Sequence, residues 1–303
     1  MDNLCHSLVG AALAETGLRR RTRYATAALV VGANFPDVDV VFAFSERGLG
    51  LRRGVTHGVL ALVVLPFVLT GILLLWHRFR ARPSPAPVLP RQLLLLSGLA
   101  ILTHPTLDWM NVYGMRWLMP FDGTWFYGDS LFILDPWLWL LLGAAWLTGR
   151  RMGRRNAAPR GERIAQVLVG ASAAYIALMM TLSGVGRSMA ARELGLRETG
   201  PKQLMVAPPF LASWRREVTF DAGAGYRFGE ISWLAEPRLR IDAVDLPKHL
   251  ELISPLPRTA RLEDLLDWAR FPFARGGADG VHVDDARYAR DGTSFAGVTA
   301  GRP

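Results

Sequence analysis

A single cysteine, Cys5, rules out an internal disulfide framework and any CxxC metal site, and it leaves the redox compartment open. Lysine is almost missing. Only Lys202 and Lys248 occur, so the basic character of the chain rests on arginine. There is no GxSxG elbow, Walker loop or HExxH helix, which removes the serine hydrolases built on that elbow, the P-loop enzymes and the zincin proteases. Internal repeats and long low-complexity tracts are absent too. The N-terminus, MDNLCHSLVGAALAE, carries Asp2 where a secretory signal carries Lys or Arg, so a retained first helix is expected.

Apolar sequence, by contrast, is abundant. Half of the 303 residues are hydrophobic and mean hydropathy is +0.19, high for a soluble protein. Runs such as HGVLALVVLPFVLTGILLLW, QLLLLSGLAILT and IAQVLVGASAAYIALMMTLSGVG approach or exceed the length that crosses a hydrocarbon core. Helices are expected at 4–18, 24–44, 55–76, 92–112, 131–149 and 164–185, a membrane all-α bundle of about five to six transmembrane helices over residues 1–185. Residues 186–303 change character. Prolines recur, RREVTFD, YRFGEISWL and LRIDAV alternate as strands do, and RLEDLLDWARF reads as a helix, so a small C-terminal β-rich extramembrane domain is expected.

The formal charge of +9 would suit nucleic acid if the arginines formed one face, but they cluster beside the apolar runs, so no nucleic-acid partner is expected. Arg19, Arg20, Arg21 and Arg23, then Arg78, Arg80, Arg82 and Arg91, then Arg150, Arg151, Arg154, Arg155, Arg160 and Arg163 mark alternate connections. The positive-inside rule places these in the cytoplasm. The remaining connections and the C-terminal domain then face the extracytoplasmic side, and with them come the residues suited to metal chemistry.

Those residues are His6, Asp37 and Asp39 in NFPDVD, Arg53 and His57 in RRGVTHG, His104 and Asp108 in HPTLD, and Asp129 and Asp135 in GDSLFILDP. His104 and Asp108 stand four apart, so a helix presents both on one face, as two ligands of one ion require. A simple His–Asp hydrogen bond inside a bundle is the competing account. In PDVD one carboxylate can ligate an ion while the other takes a proton from water, although acidic helix ends are common. Arg53 can offer a two-pronged donor to a phosphate or carboxylate, or Arg52 and Arg53 can be interfacial anchors. His6 is equally a candidate ligand and a packed core histidine. Asp135, ahead of Pro136, reads as a helix cap, whereas Asp129 is open between loop residue, support for a ligating His, and ligand.

The ordered set of motifs resembles the YdjM-like membrane-bound metal-dependent hydrolases of bacteria: the MDxxxH-like start, PDxD, RGxTH, the HxxxLD-like element and FIxDP, with APPFLASWRREV and VHVDDARY in the tail. That family is considered similar to zinc-dependent phospholipase C and related zinc nucleases. The resemblance implies His6, Asp37, His57, His104 and Asp108 as ligands of one or two divalent ions, zinc foremost, with Asp39 as general base or orienter and Arg53 stabilising charge on a phosphoryl or acyl oxygen. Where many relatives carry HRGxTHS, this chain has Arg52 and Gly58, and no second HxxxE element is found. The reading that follows is a multi-pass bacterial inner-membrane hydrolase acting on a phosphoester, lipid-linked by virtue of its location. A non-catalytic metal-binding membrane protein, such as a sensor, transporter or assembly factor, is the alternative. The sequence does not indicate an oligomeric state.

Overall fold

The structure is a computed structural model describing residues 1–42, 45, 47–80, 85–154, 158–196, 200, 202–290 and 297–300. Arg82 and Arg155 of the basic connections lie outside the described residues. The chain forms two compact units, one of Met1–Val38, Arg53–Phe126 and Leu131–Met179, the other of Asp39–Arg52, Tyr127–Ser130 and Met180–Pro303. It thus passes between units several times rather than once at residue 185.

The first unit is helical. Helix α1 (Asn3–Glu15) starts at Asp2, whose Oδ1 accepts from Cys5 N at 3.0 Å and whose Oδ2 accepts from Trp139 Nε1 at 3.0 Å. Gly10 lets α1 meet α2 (Ala25–Gly32) backbone to backbone: a Cβ there would stand 2.4 Å from Leu29 O. After α2 the chain bends by 43° into a 3-10 helix, Phe35–Phe42. Proline at position 36 favours such a break because it has no N–H to donate.

Helix α3 (Gly48–Leu51) belongs to the second unit, and α4 (Val59–Arg80), α5 (Pro90–Trp109) and α6 (Pro136–Arg154) return to the first. Asp135 does cap α6, accepting from Leu138 N at 3.0 Å, and also takes the Tyr175 hydroxyl at 2.9 Å. Leu29, Leu69, Leu93, Ala100 and Ile101 bring α2, α4 and α5 together in an apolar cluster, beside which the buried Thr70 hydroxyl of α4 reaches Ser97 Oγ of α5 at 3.4 Å. Helix α7 (Ala158–Glu193) begins in this unit and ends in the other.

Fewer helices can cross a membrane than the five to six expected. Among the described residues, α4 and α7 are long and apolar enough, and the bent pair Ala25–Gly32 with Phe35–Phe42 makes a third if counted as one span. Helix α1, at 13 residues, reaches only about 20 Å, short of the roughly 30 Å hydrocarbon core. Arg91, His104 and Asp108 dilute the apolar stretch of α5, and Arg150 and Arg151 do the same for α6. Only 22% of the apolar window of α4 is buried, so most of that helix offers hydrocarbon-compatible surface.

The second unit holds the expected β structure. Strands β1 (Leu204–Ala207), β2 (Arg215–Asp221), β3 (Gly225–Ser232) and β4 (Arg240–Pro247) form an antiparallel meander, and β5 (Pro272–Gly277), β6 (Gly280–Asp285) and β7 (Val298–Ala300) a second sheet. Helix α8 (Ala260–Trp268) is capped by Thr259. The first sheet packs on the last turns of α7 through Ala190, Val206, Val218 and Ile231. Asp129 gathers the buried charge: Arg270 binds both its oxygens at 2.7 and 3.1 Å, and Arg187 adds a contact at 2.6 Å. This tethers Tyr127–Ser130 to the β unit. Burial raises the Tyr127 phenol to about 12 despite Arg287 and Arg270 nearby, so it stays protonated and donates to Trp268 O at 3.3 Å.

Because Arg270 is fully buried, Asp129→Ala leaves an unmatched interior cation. We expect it to cost about 3–5 kcal/mol, read as a lowered unfolding midpoint of the purified protein in detergent. A loss below about 1 kcal/mol would be the value for a surface pair and would refute this account.

Candidate metal centre

Four side chains from separate stretches of the first unit converge on one point. Asp37 comes from the 3-10 helix that follows the break after α2, His57 from the turn before α4, and His104 and Asp108 from successive turns of α5. One donor atom from each lies within 4.8 Å of all the others. His57 Nε2 and His104 Nε2 are 3.1 Å apart, and each stands 3.7 Å from Asp37 Oδ1 and 3.6 Å from Asp108 Oδ2. Four donors at 2.0–2.1 Å around one tetrahedral ion would be about 3.3 Å from one another. The five observed separations are close to that shell, and the sixth, between Asp37 and Asp108, lies within 4.8 Å.

The hydrogen bonds of the two histidines turn their Nε2 atoms toward the cluster. His104 Nδ1 lies 2.7 Å from Ala33 O, and a carbonyl can only accept, so Nδ1 carries a proton and Nε2 is the nitrogen left to serve as a ligand atom. His57 Nδ1 is 2.9 Å from Thr56 Oγ1. If that hydroxyl accepts, both Nε2 atoms face each other with lone pairs, an arrangement that a cation stabilises and that its absence makes repulsive. The other tautomer of His57 would donate to His104 directly.

Asp108 is held from the opposite side. Arg53 donates to its two oxygens from Nε at 2.9 Å and from Nη2 at 3.0 Å, and the Met1 amine and His6 Nε2, the latter at 3.3 Å, also reach Oδ1. The remaining guanidinium nitrogen bonds Asn111 Oδ1 at 3.1 Å and Gly114 O at 3.0 Å, and the guanidinium lies 4.5 Å from the Tyr113 ring centre. The Arg53 backbone takes φ 51°, a left-handed conformation that a non-glycine residue adopts only under constraint.

Sequence-predicted residues thus divide. Asp37, His57, His104 and Asp108 form the cluster. His6 stacks on His104 with centroids 3.8 Å apart and touches Asp108, but it lies outside the four-donor group. Arg53 bonds Asp108. Asp39 is buried and faces Arg52 Nε at 3.7 Å. Asp39 belongs to the second unit. Asp129 serves its arginines.

Several supporting groups carry no sequence signal of metal chemistry. The Ala33 carbonyl, Thr56 and Gly114 act through backbone or local geometry, and Asn3 donates to Asp37 Oδ2 at 3.0 Å. Asn111 could have been noticed, since it follows Asp108 by three residues, just past the end of α5. Gly58 also gains a reason: a Cβ there would stand 2.2 Å from Met119 O, so a residue with a side chain does not fit this backbone. A cavity of about 400 Å³ opens beside Asp37, with Asn3 and Asn34 on its polar side and Val30, Val31, Phe35 and Val38 on its apolar side.

Together the apolar helices and the buried His/Asp cluster define a membrane protein with a candidate metal centre. The chain belongs to the family of YdjM inner membrane proteins, which it matches over residues 1–186. It is also 28% identical over 131 residues to the uncharacterized protein YfhP of Bacillus subtilis (strain 168), a match covering 42% of this chain and 38% of that protein. No solved structure matches the chain.

Chelation should therefore lower the unfolding midpoint of the metal-loaded protein, since an ion held at 100 times its Kd contributes about 2.7 kcal/mol to stability. His57→Ala should abolish that sensitivity while leaving the chain folded, because it removes one of the two facing nitrogens. Equal chelator shifts in the wild type and the variant would place the ion elsewhere.

Proposed function

We propose that this protein is a membrane-bound metal-dependent hydrolase of phosphoesters, with a lipid-linked substrate, and that Asp37, His57, His104 and Asp108 hold one zinc ion. The observation that carries the reading is the near-tetrahedral spacing of two imidazole and two carboxylate donors, a set suited to zinc. An ion there supplies Lewis acidity, polarising a phosphoryl oxygen and acidifying water.

The protein residues have distinct tasks on this reading. Arg53 positions Asp108 through its fork and thereby fixes one donor; its bonds to Asp108, Asn111 and Gly114 suit that task better than a direct grip on substrate. Asn3 orients Asp37. The cavity beside Asp37 gives substrate a way in, its amides suited to a polar head and its valines and Phe35 to a hydrocarbon neighbour. Asp39 is assigned the proton-accepting role, and His6 supports Asp108. The inner-membrane location of the family makes lipid-linked esters the nearest supply.

One observation favours the non-catalytic alternative. Four protein donors fill a tetrahedral shell, and catalytic zinc sites ordinarily keep one position open. The experiment that separates the readings is purification in detergent, metal quantification, and assay against chromogenic phosphodiesters and phospholipids. We expect about one ion per chain and turnover that is lost on chelation, restored by zinc, and reduced at least about a hundredfold in Asp39→Asn, the low end of general-base contributions. Stoichiometric metal without turnover would establish the binding protein, and absence of metal would sink both readings.

A further inference from the structure

The four-stranded sheet of the second unit has two unlike ends. At one, the β1–β2 and β3–β4 connections lie side by side, since Arg215 pairs with Ser232 and Trp233 N donates to Trp214 O at 2.9 Å. These connections expose large apolar side chains together: Phe210 at 49%, Leu211 at 50%, Trp214 at 39% and Leu234 at 76%. At the other end the β2–β3 hairpin shows only Ala222, Gly223 and Ala224. An exposed cluster with two aromatic rings at one end of a small sheet is a surface that prefers not to face water.

The neighbouring helix indicates what covers it. From Ile164 to Gly186, α7 carries no charged residue, and Arg187 is the first charge after that stretch. The residues adjoining the apolar connections touch α7 at this exit: Arg216 donates to Ser183 Oγ at 3.0 Å, and a Cβ on Gly186 would lie 3.6 Å from the Trp233 ring. The hairpin tip is six residues further along β2 from Arg216, about 20 Å at the strand rise. Aromatic and aliphatic groups placed where an apolar helix leaves the bilayer suit the headgroup boundary.

We propose that this end of the sheet, through Phe210, Leu211, Trp214 and Leu234, inserts into the membrane interface and fixes the β unit on the lipid surface. The partner is the bilayer itself, at the junction of headgroups and acyl chains. Its rim carries Arg215, Arg238 and Arg240 against Glu230 and Glu236, a small positive balance. Apolar burial therefore drives the insertion, and salt has little influence. The inference is independent of the metal reading.

The test uses the full chain with Cys5→Ala, so that one introduced cysteine carries an environment-sensitive fluorophore. Phe210→Cys and Leu234→Cys probe the apolar end, and Ala222→Cys is the reference at the opposite tip; all three positions are exposed. In phosphatidylcholine vesicles containing nitroxide-labelled lipid, labels at 210 and 234 should emit at shorter wavelength and be quenched by lipid at least about twofold more than the label at 222. The contrast should persist in 0.5 M salt. Equal lipid quenching at all three positions would overturn the proposal. So would labels at 210 and 234 shielded from both nitroxide lipid and aqueous iodide, because that pattern marks a protein contact.

Discussion

The helical unit is organised by the burial of one carboxylate. Asp108 is 1% exposed, and an ionised group at that depth is costly unless it is compensated by opposite charge and hydrogen bonds. The compensation comes from distant parts of the chain: Arg53 from the segment before α4, and the Met1 amine and His6 from the start of α1. Each requires its own segment to be held in place. Arg53 reaches inward from a left-handed backbone and stacks near Tyr113, while α1 approaches α2 closely enough to require Gly10. Asp108 thus ties together the N-terminus, the RGVTH turn and α5, the same elements that carry the histidines.

Much of this was legible because ionisable residues inside apolar sequence are rare and conspicuous. The spacing of His104 and Asp108 by one helical turn and the order of PDVD, RRGVTH and HPTLD were enough to single out all four cluster residues. What sequence could not distinguish was role. Arg53 suggests a substrate clamp when its neighbours are unknown, yet the folded chain supplies Asp108, Asn111 and Gly114 as acceptors. Asp37 and Asp39 look alike in a motif, but Asp37 belongs to the first unit and Asp39 to the second, where it faces Arg52.

The excess of expected spans has a related cause. Apolar length alone does not separate a spanning helix from one that packs a single face into a core, and α5 buries Leu93, Leu96, Ala100 and Ile101 while Leu95, Leu99 and Leu102 stay exposed. The β unit was foreseen where strands alternate, as β2, β3 and β4 do. Strand β1 is buried at every position, so it has no alternation to read. Tyr127–Ser130 belongs to that unit because of Asp129, and charge pairing across 141 residues leaves no local pattern.

The same architecture makes the two carboxylates of the cluster unequal. Asp108 sits on a regular helix with both oxygens engaged by Arg53, so its position is over-determined. Asp37 sits on a 3-10 segment beyond a 43° break, takes an amide hydrogen bond from Asn3, and lines the cavity that His57, His104 and Asp108 do not line. Any ion held by the four donors would therefore rest on one firmly fixed carboxylate, Asp108, and on a second, Asp37, whose backbone is less regular and which borders the cavity.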